Sequence, residues 1–275
     1  MTSVVLVVLL VTSMLAIGAN LTTDSFVELT RRPTSLGVAV VANVVAVPAV
    51  AAVAVSLIDF PAPVALGIVV SAAACGGSSG PLLVRHAGGS LALAVSLQAM
   101  LALLALAAVP LWMLVLSSES AFDPQRAAGL VAGLLVAQVV PFAVGMILRR
   151  QRPRTADRVH VTAGRIADLL LLGIIVWFAV TTLSHIADLP AATLPVIVLL
   201  VSVTLAAYGL PRLQGPSERA AVSMITAIRN LTLALLVVSL STSPDLAVTT
   251  VLTYGFVMYV GAVLALAPMR RAGAR

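Results

Sequence analysis

The apolar positions of this chain fall into long continuous runs separated by short polar stretches. A helix that crosses a bilayer needs ~20 mainly apolar residues, and these runs are of that order. They lack the short alternating segments of an outer-membrane barrel. The pattern therefore predicts an all-α polytopic membrane protein with nine transmembrane helices. The predicted segments are 3–21, 35–58, 62–86, 90–116, 126–148, 166–186, 190–209, 217–241 and 246–268.

The composition agrees with a membrane location and excludes several functions. Of the 275 residues, 61% are hydrophobic and 9% are charged, whereas a soluble domain carries roughly 25% charge. All 16 basic residues are arginines, and most of them lie in short stretches between apolar runs, so the net charge of +6 indicates topology and not nucleic-acid binding. The single cysteine, Cys75, excludes an internal disulfide and a four-cysteine metal site.

The charged residues between segments alternate in sign along the chain. Basic residues follow the odd-numbered segments and acidic residues follow the even-numbered ones, with the densest basic stretch at 149–165. By the positive-inside rule, the amino terminus lies outside and the carboxyl terminus lies in the cytoplasm. We therefore expect a multi-pass protein of the cell membrane, in contact with lipid, with 149–165 as a cytoplasmic linker.

Two predicted segments are interrupted by residues that do not suit a continuous apolar helix. Arg229 and Asn230 lie near the middle of segment 217–241, where a charge costs about 2.5–3.5 kcal/mol on insertion scales. Glycines and a proline interrupt segment 62–86 at 76–81. Both stretches predict broken helices near the bilayer midplane. The alternative for Arg229 is a helix that ends near Ile228, with the guanidinium reaching an interface.

The two interruptions occupy corresponding places in the two parts of the chain. One falls in the third of four segments, and the other falls in the fourth of the five segments that begin at about residue 126. Adding one missing span at the front gives two inverted repeats of five, the arrangement in which paired broken helices mark a transporter's binding site. We predict one transporter domain over 1–275. Residues 1–148 contain the first repeat lacking one span, and 166–275 contain the rest of the second.

Three stretches resemble the bile-acid:sodium symporter family of secondary transporters. They are GANLTTDSFVELTRRP at 18–33, CGGSSGPLLVRHAGGSLALAVSL at 75–97 and ERAAVSMITAIRNLTLALL at 218–236. The resemblance implies two broken helices that cross in a core domain, beside a smaller panel domain. It also implies sodium-coupled transport of an organic anion. Some members have ten spans and others, like this chain, lack the first.

The chain departs from the family at the positions of the sodium ligands. Carried over by the resemblance, these positions fall on Gly80, Pro81, Ala94, Gln98, Ile225, Arg229 and Asn43. Only Asn43 and Gln98 keep a side-chain oxygen, Ile225 removes the carboxylate, and Arg229 places a cation where a cation binds. A shifted alignment lets Ser78 and Ser79 replace one lost pair. We therefore expect no metal site and no cofactor, and the departures argue against sodium.

These residues predict a secondary transporter of a small organic anion, such as a carboxylate or sulfonate, and not an enzyme. Arg229 is permanently positive and takes the place of the sodium charge, which makes transport sodium-independent. Neutral hydrogen-bonding groups complete the site. The predicted substrate-binding residues are Arg229, Asn230, Thr226, Ser78, Ser79, Gln98 and Asn43.

Several alternatives remain open from the sequence. One is a sodium-coupled organic anion symporter, as in the family, and another is an Arg229 that only locks the core. Gly77–Gly80 matches the G-x-S-G motif of intramembrane serine proteases, which need a histidine base near the serine. We do not expect His86 or His185 to reach Ser79 at mid-depth. A non-transporting receptor on the same fold is the fourth alternative.

Overall fold

The protein is all-helical within the part of the chain that can be described. The computed structural model describes residues 3–116, 124–181, 189–210, 213, 215–239, 241 and 244–273. Those residues form thirteen α-helices and no strand. The helices are α1 Ser3–Asn20, α2 Thr23–Arg31, α3 Pro33–Val40, α4 Val47–Leu57, α5 Ala62–Ala73, α6 Gly80–His86, α7 Leu91–Leu116, α8 Pro124–Gln151, α9 Pro153–Thr181, α10 Thr193–Ala206, α11 Gly215–Ala227, α12 Leu231–Ser239 and α13 Pro244–Gly273.

Several of the described helical stretches are long and apolar enough to cross a membrane. Four qualify by length and composition: Pro33–Leu57, Leu91–Val115, Gly215–Ser239 and Pro244–Ala272. The first joins α3 and α4 through a π-helical turn at Val41–Ala46. Shorter apolar helices add Val4–Asn20, Ala62–Ala73 and Thr193–Gly209. The chain is therefore a multi-pass membrane protein.

The helices pack in two groups. Helices α1, α8 and α9 lie against one another, and α3–α7 and α10–α13 form the larger group. Small residues let the first group pack closely, because a Cβ added at Gly18 would collide with the carbonyl of Phe142 on α8. The contacts between the two groups include those of α1 with α12, the helix that follows the second interruption, and those of α8 with α7 and α9 with α13.

The stretch 149–165, predicted as a linker, is helical. Helix α8 ends at Gln151 and α9 begins at Pro153. Proline suits a first helical position because its missing N–H would have no partner there. Arg149 donates from Nε to the Ala19 carbonyl at 2.6 Å and pairs with Asp157 at 2.7 Å, which fixes the end of α8 to α1.

Candidate functional site

The two interrupted stretches meet and satisfy each other's backbone. The first lies between α5 and α6, and the second comprises 228–230 between α11 and α12. The amide of Asn230 donates to the Ala74 carbonyl at 2.6 Å, and the amide of Gly77 donates to the Ile228 carbonyl at 3.3 Å. Unwound backbone inside a membrane is tolerated where protein supplies such partners. The two breaks therefore form one structural unit.

Glycine is required where the two stretches come closest. Gly76 has a φ of +80°, and a Cβ there would lie 2.7 Å from the Ala102 Cα on α7. A Cβ added at Gly77 would collide with the backbone carbonyl of Arg229. Only glycine combines this backbone conformation with so close an approach. The glycine run in the sequence thus serves the crossing itself.

Arg229 lies at this crossing and is sealed inside the protein. Its side chain is 1% exposed and heads the largest fully buried side chains. Its Nη1 donates to Asn43 Oδ1 at 2.9 Å, and its backbone amide faces Met258 Sδ at 3.1 Å. The guanidinium therefore points into the core, and the alternative in which it reaches an interface is wrong for this conformation.

The guanidinium has no carboxylate partner among the described residues. Its Nε and Nη2 atoms are buried and have no hydrogen-bond partner among the described residues. None of the ion pairs found in the described ranges includes Arg229. A buried charge that has lost its partner costs about 3–5 kcal/mol. The site is therefore electrostatically incomplete as it stands.

Asn43 holds one edge of the guanidinium. Besides accepting from Arg229, it donates from Nδ2 to the Ala39 carbonyl at 2.8 Å and to Thr226 Oγ1 at 3.0 Å. It lies in the π-helical turn before α4, and such turns occur frequently at functional sites. Both Nδ2 hydrogens are thus engaged inside the protein. Asn43 and Thr226 therefore position Arg229, and Asn43 has no side-chain N–H left for a ligand.

A proline in the next turn explains how the π-helical turn is held. Pro48 has no N–H, so it cannot bond the carbonyl of Val44 four residues earlier. The indole of Trp112 on α7 donates to that carbonyl at 2.8 Å. The bond ties the turn to α7. It therefore supports the turn that presents Asn43 to Arg229.

Asn230 and Tyr254 lie beside Arg229 with unused polar atoms. Asn230 Oδ1 caps α12 by accepting from the Leu233 amide at 3.1 Å, while its Nδ2 is buried without a partner in the described structure. Tyr254 on α13 is fully buried, its hydroxyl lies within reach of the Arg229 guanidinium, and the hydroxyl hydrogen has no acceptor in the described structure. The sequence prediction missed Tyr254. Its signal was a tyrosine within an apolar span of a chain that has three tyrosines.

The remaining predicted site residues make other contacts. Ser78 and Ser79 are half-buried, and Ser79 Oγ bonds the Tyr259 hydroxyl at 2.8 Å. Gln98 is buried on α7, with its backbone carbonyl against Gly76. No hydrogen bond found in the described part of the chain joins these three side chains to Arg229. The structure thus unites Arg229, Asn230, Asn43 and Thr226, but not the serines and Gln98.

The residues at the family's sodium-ligand positions do not fit a sodium ion beside Arg229. The amide oxygen of Asn43, Oδ1, already accepts from the guanidinium, and that of Asn230 already accepts from the Leu233 amide. Ile225 presents carbon, and its Cδ1 would lie 2.7 Å from a Cβ added at Gly80. Ala94 is fully buried and offers no side-chain oxygen. A hard cation needs oxygen ligands, and the fixed guanidinium would repel it.

The contacts of Ser79 do not form a protease site in the described residues. Its hydroxyl pairs with Tyr259. His86 is exposed, and its Nδ1 bonds the Leu82 carbonyl one turn earlier on the same helix. His185 lies outside the described residues. A serine nucleophile needs a base within hydrogen-bond reach, and neither Tyr259 nor Leu82 supplies one.

Comparison with known proteins identifies the family of this chain. The model of the Sodium Bile acid symporter family matches residues 7–189, about two thirds of the chain. The chain belongs to this family. The resemblance to the family is thereby confirmed, and the family is one of symporters. Two of the three sequence stretches, 18–33 and 75–97, lie within the matched range, whereas 218–236 lies beyond it. The matched range includes the first interruption and ends before the second.

A bacterial relative supports the same assignment. It is named "Uncharacterized sodium-dependent transporter YocS", from Bacillus subtilis (strain 168). It is 28% identical over 148 residues, which cover 54% of this chain and 46% of the relative. The match therefore spans less than half of the relative's length.

Proposed function

We propose that this member of the family is a secondary transporter of a small organic anion. It works by alternating access around the crossing of the two interruptions, and the anion binds at Arg229. The observation that carries this proposal is a buried guanidinium with two unpartnered donor nitrogens, Nε and Nη2, and no carboxylate paired to it in the described structure. An anion supplies the missing charge and the missing acceptors.

The proposed topology is nine spans in two inverted repeats, with one span missing from the first. The nine predicted segments correspond in order to α1, α3–α4, α5–α6, α7, α8, α9, α10, α11–α12 and α13. The close group of α1, α8 and α9 serves as the panel, and the larger group, with the crossing, serves as the core. With the amino terminus outside, the arginines of 149–165 lie in the cytoplasm.

In our proposal this chain differs from its relatives in its use of sodium. The names of the family and of the bacterial relative refer to sodium. In this chain the Arg229 guanidinium bonds the Asn43 oxygen that sodium would use. We therefore propose transport without sodium, with Arg229 as a built-in cation. The alternative is sodium-coupled symport as in the family, with the ion bound away from Arg229.

Uptake into proteoliposomes tests the proposal. The probes are labelled small carboxylates and sulfonates, measured in sodium buffer and again with sodium replaced by choline. We expect uptake of one or more probes that is equal in the two buffers and is lost in Arg229→Met. A steep sodium dependence contradicts sodium independence and supports the family mechanism. Absence of flux together with retained ligand binding supports a receptor.

A further inference from the structure

The Arg229 guanidinium is held by one edge and free at another. Nη1 is engaged by Asn43, whereas Nε and Nη2 are buried without a described partner. Nε and Nη2 lie on the same side of the planar group, so their N–H bonds form a fork that matches two oxygens of a carboxylate. Nε and Nη2 together therefore have the geometry to bind both oxygens of one carboxylate.

The position of α13 brings Tyr254 to the same place. Met258 Sδ lies 3.1 Å from the Arg229 amide, which fixes this face of α13 against the second interruption. Tyr254 precedes Met258 by four residues and so shares that face. Arg229 is the charged group that acts on its hydroxyl. A guanidinium can only donate, so in its contact with Arg229 the hydroxyl oxygen is the acceptor. The hydroxyl hydrogen has no acceptor in the described structure and is available to an anion bound at Arg229.

Asn230 adds a third side chain of the same kind. Its Oδ1 caps α12 and is occupied, so Nδ2 is what remains for a ligand, and this donor is buried and unpartnered within the described structure. The unused atoms of Arg229, Asn230 and Tyr254 are thus all able to donate. A group of buried donors without an acceptor suits a ligand with several acceptor oxygens, and it disfavours a cation.

We propose that the Nε–Nη2 edge of Arg229 and the hydroxyl of Tyr254 form a binding site for a carboxylate head group. Tyr254 contacts the ligand, Asn230 supplies a further donor, and Asn43 positions the guanidinium. This inference rests on the proposed function and names the head group of its substrate. A halide is a single atom and cannot place one acceptor opposite each of the two parallel N–H bonds, so it binds more weakly than a carboxylate at such a fork.

Thermal unfolding of the purified full chain in detergent tests the site, because a ligand that binds only the folded state raises the midpoint. The probes are potassium acetate, pyruvate and lactate, each compared with potassium chloride at equal ionic strength. We expect at least one carboxylate, but not chloride, to raise the midpoint. Tyr254→Phe should weaken that binding by about tenfold or more, as for a lost hydrogen bond to a charged group. The matched control, Tyr208→Phe at a half-buried position after α10, should not change it.

A second variant separates the fork from the charge. Arg229→Lys keeps a cation but loses the fork, so we expect the preference for carboxylate over chloride to disappear. Equal protection by chloride in the wild type, no protection by any of the three carboxylates, or unchanged binding in Tyr254→Phe would each overturn the proposed site. Flux in proteoliposomes made from the same preparations separates this from the proposed function. Flux that is unaffected in Tyr254→Phe would contradict the proposed site and leave the transport proposal standing. Carboxylate binding without flux would contradict transport and leave the site standing.

Discussion

The hydrogen bond between Asn43 and Arg229 is the contact on which the electrostatics of the crossing depends most directly. Nη1 and Oδ1 are 2.9 Å apart, and both side chains are buried. A hydrogen bond to a charged group contributes about 1.5–3 kcal/mol. Asn43→Leu alone also removes the bonds of Nδ2 to Ala39 and Thr226. A double-mutant cycle with Arg229→Met isolates the pair, because those other losses occur in both backgrounds.

We expect a coupling free energy of about 1.5–3 kcal/mol between the two positions. The measurement is equilibrium unfolding of wild type, both single variants and the double variant in mixed micelles without added organic anion. Asn43→Leu should be much less damaging once Arg229 is already Met, because no buried guanidinium then loses its partner. A coupling below about 0.5 kcal/mol, the usual additivity error, would refute the contact as the anchor of Arg229.

The same data distinguish a binding residue from a structural lock. Replacing a buried charge by an apolar residue of similar volume is often neutral or stabilising by about 1–4 kcal/mol. Because two of the Arg229 donor atoms lack a partner in the described structure, we expect Arg229→Met to be about as stable as the wild type and yet inactive in uptake. Destabilisation by more than about 3 kcal/mol with uptake retained would show that Arg229 only locks the core.

Three further predictions concern the surroundings of the crossing. Gly77→Ala should destabilise the protein by about 3 kcal/mol or more, because the added Cβ meets backbone that cannot move aside. The control is Gly173→Ala, whose Cβ meets nothing within 4 Å and should leave the stability unchanged. Equal unfolding midpoints for the two variants would contradict the close approach of the two interruptions. The double variant Ile225→Glu with Arg229→Gln restores the family's oxygen-bearing side chains at these positions. Sodium should therefore raise the melting temperature of this double variant but not that of the wild type. A rise in the wild type would contradict the proposal that Arg229 replaces the sodium ion. Glu218 is buried, accepts from the Ser35 hydroxyl and lies 3.7 Å from Arg32 Nη1. Glu218→Leu should therefore cost about 1–3 kcal/mol in unfolding free energy. Glu218→Gln keeps an acceptor for Ser35 and should cost less, whereas equal losses would show that this hydrogen bond is unimportant.

The positions of the helix breaks could be predicted from the sequence, because the cost of a charge or of consecutive glycines in an apolar span is local. The glycine run and Arg229 each mark an interruption without knowledge of any neighbour. The stretch 149–165 was harder to predict, because its arginines and Pro153 indicate a loop. The chain instead forms helix there, with Pro153 at a first position and Arg149 bonded to α1.

What the site residues contact could not be predicted from the sequence. Asn43 and Arg229 are 186 residues apart, and nothing local relates a π-helical turn to the second interruption. Tyr254 was missed because its importance comes from the docking of α13 through Met258. Ser79 was assigned to the site, yet its hydroxyl turns to Tyr259, since the direction of a side chain depends on the neighbouring helix.

The sequence by itself determined that this chain is helical and membrane-embedded, that it belongs with the bile-acid symporter type, and that it carries a charge at the second break. Those properties follow from the hydropathy of single segments and from short motifs. Tertiary structure alone decided which edge of the Arg229 guanidinium is occupied and which stays free. That outcome depends on buried polar atoms from distant helices, whose hydrogen bonds exist only when the helices are packed together.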